Sequence, residues 1–258
     1  MPQCWASAIG DCHPEQSREH LVSAGLGGDG SIDVVGFPWC RHEPKRVGVA
    51  SLTGKILCRK HNSALSPLDD AAKKAFAALA DATELSNQRN LQRPRKWKVK
   101  RFEILGLPLE RWFLKTAINL IVANPNDVIW GLDGGPVGRP PKHLVRIVYG
   151  DSAFVEPLGL YAAVDVGETM NLSDYVRFAP LLTDGNRIVA GMFTFRGVRF
   201  VLNLYPTILP RDLPLPGAGE VRWRSASLLY HVKRINVRVA ERLSHYVQVL
   251  WHVEPGLS

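Results

Sequence analysis

The run Leu57-Cys58-Arg59-Lys60-His61-Asn62 constrains this chain more than any other stretch, because it is a C-x-x-H knuckle followed directly by an asparagine. Two more cysteines, Cys4 and Cys12, precede it. A borderline-soft Zn²⁺ takes four sulfur or nitrogen ligands in a tetrahedron, and Cys4, Cys12, Cys58 and His61 supply that set. Upstream of the knuckle, Ser17-Arg18-Glu19-His20 places an acid beside a histidine. Glu19 and Asn62 offer hard oxygens of the kind Mg²⁺ prefers. All four cysteines fall in the first 58 of 258 residues, too few and too clustered for a secreted disulfide scaffold. Their histidine neighbours suit metal binding in a reducing compartment. Cys40 is the odd thiol: it could stand in for Cys4 or Cys12, but a free, half-buried cysteine acting as a small apolar residue is the favoured reading.

These motifs resemble the HNH (His-Me finger, ββα-metal) endonucleases of zinc-stabilised treble-clef type, over about the first quarter of the chain. In that family two zinc knuckles hold a hairpin against a helix. The acid before the histidine and the asparagine after the second knuckle bind a catalytic divalent ion, Mg²⁺ or Mn²⁺, and the histidine is the general base. Carried over residue by residue, the resemblance gives the ion to Glu19 and Asn62 and the proton transfer to His20. The zinc is a separate, structural ion.

The expected fold class is α+β. A zinc-stapled ββα-metal finger with a following helix should occupy residues 1–85, and a basic strand, a helix and a mainly antiparallel β domain residues 86–258. A hydrophobic content of 46% is ample for a packed core. The formal charge of +8 suits a polyanionic partner. The start of the chain lacks a basic region followed by an apolar run, and no stretch approaches the length of a spanning helix. No membrane association is therefore expected, and the expected compartment is the cytoplasm.

Short strands are predicted at 32–35 and, broken by Gly54, at 47–57. Residues 61–65 should begin the helix that closes the metal site. Ser66-Pro67-Leu68-Asp69 then reads as a fresh helix start, with Ser as cap and Asp three residues on, leading into an alanine-rich helix over 70–79. Arg93, Arg95, Lys96, Lys98 and Lys100 crowd around Trp97, and the alternation from Lys96 onward predicts an edge strand with one basic face. A second helix is predicted over 109–123 from its apolar periodicity. Beyond it, strands are expected at 144–149, 160–166, 187–195, 198–204, 228–238 and 245–253, with Arg196-Gly197 as a hairpin turn.

The function implied by the resemblance is metal-dependent hydrolysis of phosphodiester bonds in nucleic acid, with DNA the expected substrate. Arg18, Arg59 and Lys60 flank the motif residues and could hold phosphates, as could the basic strip from Arg93 to Lys100. The competing reading is a zinc-stabilised nucleic-acid-binding or protein-interaction module without catalysis, in which Glu19 pairs locally with Arg18 and His20 is itself a zinc ligand.

Overall fold

The computed structural model describes residues 4–23, 30–35, 40, 42–91, 98–123, 128–131, 137–155, 157–163, 176–183, 185–195, 198–205, 228–229, 234–240 and 243–251. It is a mixed α+β structure, mainly sheet. A 3-10 turn at Trp5–Ile9 leads into strand β1 (Gln16–His20), followed by β2 (Ser31–Val34), β3 (Lys45–Gly48) and β4 (Thr53–Cys58). Next come helices α1 (Arg59–Ser63) and α2 (Ser66–Asn90), strand β5 (Arg101–Leu105), helix α3 (Gly106–Ala123), strand β6 (Ile129–Trp130) and helix α4 (Lys142–Tyr149). The chain ends in strands β7 (Gly159–Ala163), β8 (Val176–Thr183), β9 (Arg187–Phe195), β10 (Val198–Asn203), β11 (Leu228–Leu229), β12 (Arg234–Ala240) and β13 (Leu243–Leu250).

Three sheets result. Strands β1 and β4 form an antiparallel hairpin that leads straight into α1. An eight-stranded sheet runs β11-β7-β10-β9-β8-β2-β3, with β6 paired to β9. A small sheet has the order β12-β13-β5, with β5 parallel to β13 and at the edge. Strands β2 and β3 lie between β1 and β4 in sequence yet join the large sheet through parallel pairing of Asp33 and Val34 with Arg177 and Phe178. The sheet therefore crosses residue 85, where the sequence suggested a boundary.

Helices α2 and α3 pack on each other and cover one face of this sheet through an aromatic cluster. The ring of Phe76 on α2 lies 4.2 Å from that of Phe195 and 5.2 Å from that of Trp112. Phe113 on α3 stacks at 4.4 Å on Phe193 and 5.1 Å on Phe200. Such tilted and edge-on pairs stabilise beyond their buried area by about 0.5–1.5 kcal/mol each. The other face of the sheet buries a smaller group that includes Val35, Leu181, Met192 and Val201.

Strand β5 runs into α3 without a loop, and Gly106 makes this possible: a Cβ there would sit 2.6 Å from the Trp251 ring. The predicted edge strand is present but displaced. Its regular part starts at Arg101, Lys98 and Lys100 precede it and are exposed, and Arg93, Arg95 and Lys96 lie outside the described residues.

Two expectations are corrected. The segment 144–149, read as a strand, is helix α4, which begins after Pro141 and ends at Gly150 in the left-handed conformation. Strand β8 escaped prediction because Pro180 sits in its middle. A proline is tolerated there because it falls where the pairing with β2 ends, just after Val35 donates its N–H to the Phe178 carbonyl.

Candidate metal centre

Cys4, Cys12, Cys58 and His61 converge, with their ligand atoms all within 4.8 Å of one another. His61 Nδ1 lies 3.2 Å from Cys58 Sγ, 3.4 Å from Cys4 Sγ and 3.6 Å from Cys12 Sγ. A tetrahedral Zn²⁺ with Zn–S near 2.3 Å and Zn–N near 2.0 Å sets neighbouring donors roughly 3.4–3.8 Å apart, so these four side chains could hold a metal ion. Cys40 is buried elsewhere and is not part of the group. His20 is not part of it either.

Local structure explains the convergence. Cys58 ends β4 and caps α1, which turns His61 back over the sulfur. Gly10 and Asp11, both at positive φ, bend the chain so that Cys12 returns toward Cys4. Burial pushes the Cys4 thiol up to about 12. Cys58 is buried too, but backbone N–H groups of His61 and His13 donate to its sulfur and hold it below the ordinary thiol range. Burial, with Lys60 nearby, lowers His61 and keeps the imidazole neutral, the form that binds metal. Cys12 is the least buried of the four.

The second group of motif residues sits beside this cluster. In the β1–β4 pairing Ser17 faces Leu57 and Glu19 faces Gly54, so the extra residue lies on β4 and β1 keeps its regular alternation. Ser17 and Glu19 consequently share the inner face, while Arg18 and His20 share the outer one. Exposure agrees: Glu19 is buried, and Arg18 and His20 are exposed. Asn62 Nδ2 donates to Ser17 Oγ at 2.8 Å, which brings the α1 amide over the same face as Glu19. Glu19 and Asn62 are thus on one side of β1, and His20 is on the other.

Glu19 meets helix α3 there. Lys115 Nζ lies 2.7 Å from Glu19 Oε1 and 2.8 Å from both oxygens of Asp69. Lys115 is 1% exposed, a cost that only close pairing offsets. Asn119 Nδ2 also reaches Glu19 Oε1, at 3.4 Å, and Trp5 Nε1 fixes Asn119 by donating to its Oδ1 at 3.0 Å. Asp69 accepts in addition from Ser23 Oγ and, at 3.2 Å, from Trp112 Nε1. Burial pushes the Glu19 carboxyl up, and the Lys115 ammonium pulls it partly back. Among the described residues neither Glu19 Oε2 nor Asn62 Oδ1 has a hydrogen-bond partner, so each keeps a hard oxygen of the type a divalent cation takes.

Sequence reading missed Lys115, Asp69, Asn119 and Ser23. A signal was there: Lys115 interrupts the apolar run of α3, and Trp112, Lys115 and Asn119 follow i, i+3, i+7 on one face. Asp69 was read as a helix-start acid, whereas its side chain binds Lys115. Of the basic residues, Arg18 donates to Thr53 Oγ1 at 3.1 Å, Arg59 pairs with Glu15 at 3.5 Å, and Lys60 pairs with Asp11. Lys98 and Lys100 are exposed, and Lys100 Nζ lies 5.1 Å from the Phe102 ring centre.

No family model, no curated protein and no solved structure matches this chain. Among the described residues no helix is long and apolar enough to cross a membrane.

Proposed function

We propose that this chain is a zinc-stapled endonuclease of the ββα-metal, treble-clef type that hydrolyses phosphodiester bonds, with DNA the expected substrate. The observation that carries the reading is the Asn62–Ser17 hydrogen bond, which sets the amide of α1 over the same face of β1 as Glu19. In this reading zinc occupies the Cys4, Cys12, Cys58 and His61 cluster and ties α1 to the hairpin.

Glu19 Oε2 and Asn62 Oδ1 would hold Mg²⁺ or Mn²⁺, which when bound neutralises charge building on the scissile phosphate and on the departing oxygen. His20, the last residue of β1, faces solvent and takes the proton of the attacking water as general base. In this reading the reacting phosphate lies at the end of the strand, between the Glu19–Asn62 face and His20. Arg18 is on that outer face too, and Arg59 and Lys60 are exposed on α1, where a phosphate would compete for them with their present partners Glu15 and Asp11.

A second reading, a zinc-stabilised nucleic-acid-binding module without catalysis, is favoured by one observation: Glu19 already has a cation, the ammonium of Lys115. The two separate in a plasmid-nicking assay run alongside DNA binding. The nuclease reading expects one zinc per chain and Mg²⁺- or Mn²⁺-dependent nicking that is lost in His20→Ala and Glu19→Gln with zinc retained. Binding without nicking under any divalent ion decides for the module. Nicking that survives His20→Ala removes His20 as the base.

A further inference from the structure

We propose that Lys115 and Asp69 act as a positioning pair for Glu19, clamping Oε1 so that Oε2 is presented on the face of β1 that Asn62 overlies. The inference rests on the endonuclease reading and adds to it two residues from outside the hairpin, one at the start of α2 and one in the middle of α3.

Two features point beyond a simple fold lock. First, both contacts that the described residues make to the Glu19 carboxylate fall on the same oxygen: Lys115 Nζ at 2.7 Å and Asn119 Nδ2 at 3.4 Å. A lock would be served by any pairing of the two charges, whereas a clamp on one oxygen fixes the plane of the carboxylate and leaves the other oxygen for a ligand. Second, the clamp is itself held. Lys115 Nζ is equidistant, at 2.8 Å, from the two Asp69 oxygens, and Asp69 is propped by Ser23 Oγ and by Trp112 Nε1. Outer hydrogen bonds of this kind orient carboxylate ligands at metal sites, and losing them costs about 10–100-fold in metal affinity.

Charge alone does not explain the pair. An ammonium beside Glu19 repels a divalent ion, but Asp69 cancels that repulsion, because Lys115 and Asp69 together are neutral. What the pair adds at the site is therefore orientation more than field. This also dictates the test: removing both charges together withdraws the clamp and leaves the net charge unchanged.

The experiment compares full-length wild type with the double variant Lys115→Met/Asp69→Asn, with Mn²⁺ as probe. Mn²⁺ affinity is read by electron paramagnetic resonance and zinc content by elemental analysis. The expected result is zinc retained at one per chain and Mn²⁺ affinity down about 10–100-fold. Unchanged Mn²⁺ affinity in a zinc-loaded double variant overturns the proposal and leaves the endonuclease reading standing. If Glu19→Gln does not alter Mn²⁺ binding by wild type, the endonuclease reading falls and the inference with it. Should the double variant lose its zinc, Ser23→Ala carries the test, since it withdraws the hydroxyl that donates to Asp69 and accepts from Trp112 Nε1 at 2.8 Å while leaving Lys115 and Asp69 in place. A several-fold drop in Mn²⁺ affinity is then expected, and an unchanged value again overturns the proposal.

Discussion

The β1–β4 hairpin with α1 and the eight-stranded sheet are held by different chemistry. The hairpin has two short strands and one turn of helix; besides Ile56 and Leu57, which it buries in the core, polar groups tie it down: the Cys4, Cys12, Cys58 and His61 cluster, the Asn62–Ser17 bond and the Glu19–Lys115 pair. The sheet is held by rings, with Phe113, Phe193, Phe200, Phe76 and Phe195 in mutual contact across the α2–α3 layer. A hydrophobic core loses stability gradually as atoms are removed. A coordination site loses it all at once, because three donors do not make three-quarters of a tetrahedron's worth of order.

The largest expected effect breaks the comparison on the hairpin side. Structural zinc is worth roughly 10–16 kcal/mol of apparent binding in small finger peptides, and in such modules binding is folding. Cys58→Ser should lose zinc and expose the amides of Gln16–His20 and Thr53–Cys58 to rapid hydrogen exchange, while Arg187–Phe195 stays protected. Hairpin amides that remain slow in that variant would show that packing, and not the metal, orders them.

On the sheet side, Phe113→Ala should cost about 3–5 kcal/mol in denaturant unfolding, because a 1%-exposed ring leaves a cavity among four others, those of Phe76, Trp112, Phe193 and Phe200. Zinc content should not change. A zinc loss matching the stability loss would mean that the two regions unfold as one.

The third effect sharpens the contrast through pH. Glu110 of α3 is buried, and burial pushes its carboxyl up to about 7, although its Oε2 accepts the Leu160 N–H at 2.8 Å. A raised folded value means that the folded state binds the extra proton. The stabilisation is fully present below the unfolded value near 4.5 and is lost as pH rises through 7. Relative to Glu110→Gln, wild type should lose about 3 kcal/mol over that window, read as the difference between the two stability–pH curves. Parallel curves would show that Glu110 remains ionised.

The smallest effect concerns the surface of the finger. Arg59 and Glu15 lie 3.5 Å apart with about 70% of each side chain exposed, so Glu15→Gln should shift stability by less than about 1 kcal/mol and leave zinc in place. A larger loss in thermal unfolding would assign the Cys12 loop a role in holding the cluster.

The same contrast explains what the sequence disclosed. Cys58, His61 and their partners were legible because metal chemistry allows few residue types at few spacings. Strands β9 and β10 were legible because residues 188–195 and 198–202 are largely apolar runs rich in β-branched and aromatic residues, nearly all of them buried. Helix α4 was misread because Val145, Ile147 and Val148 favour strands individually. The caps decided the matter: Pro141 opens the helix, and Gly150 closes it with its N–H on Arg146 and Ile147 carbonyls. Lys115 was hidden for a different reason. Its break in the apolar run of α3 is a local signal, but its partners, Asp69 and Glu19, lie 46 and 96 positions away and are not named by any local pattern.

One feature of the topology bears on how the molecule is made. Strands β2 and β3 are threaded between the two halves of the metal cluster but belong to a sheet whose other members lie beyond residue 128. As the nascent chain leaves the ribosome, the last cluster ligand emerges at residue 61, long before β8 exists to receive β2. The two strands must then wait with an open edge, the kind of surface on which growing chains join one another. The segment from Cys4 to His61 is therefore not a detachable cassette: cutting it from the rest would take β2 and β3 out of the large sheet.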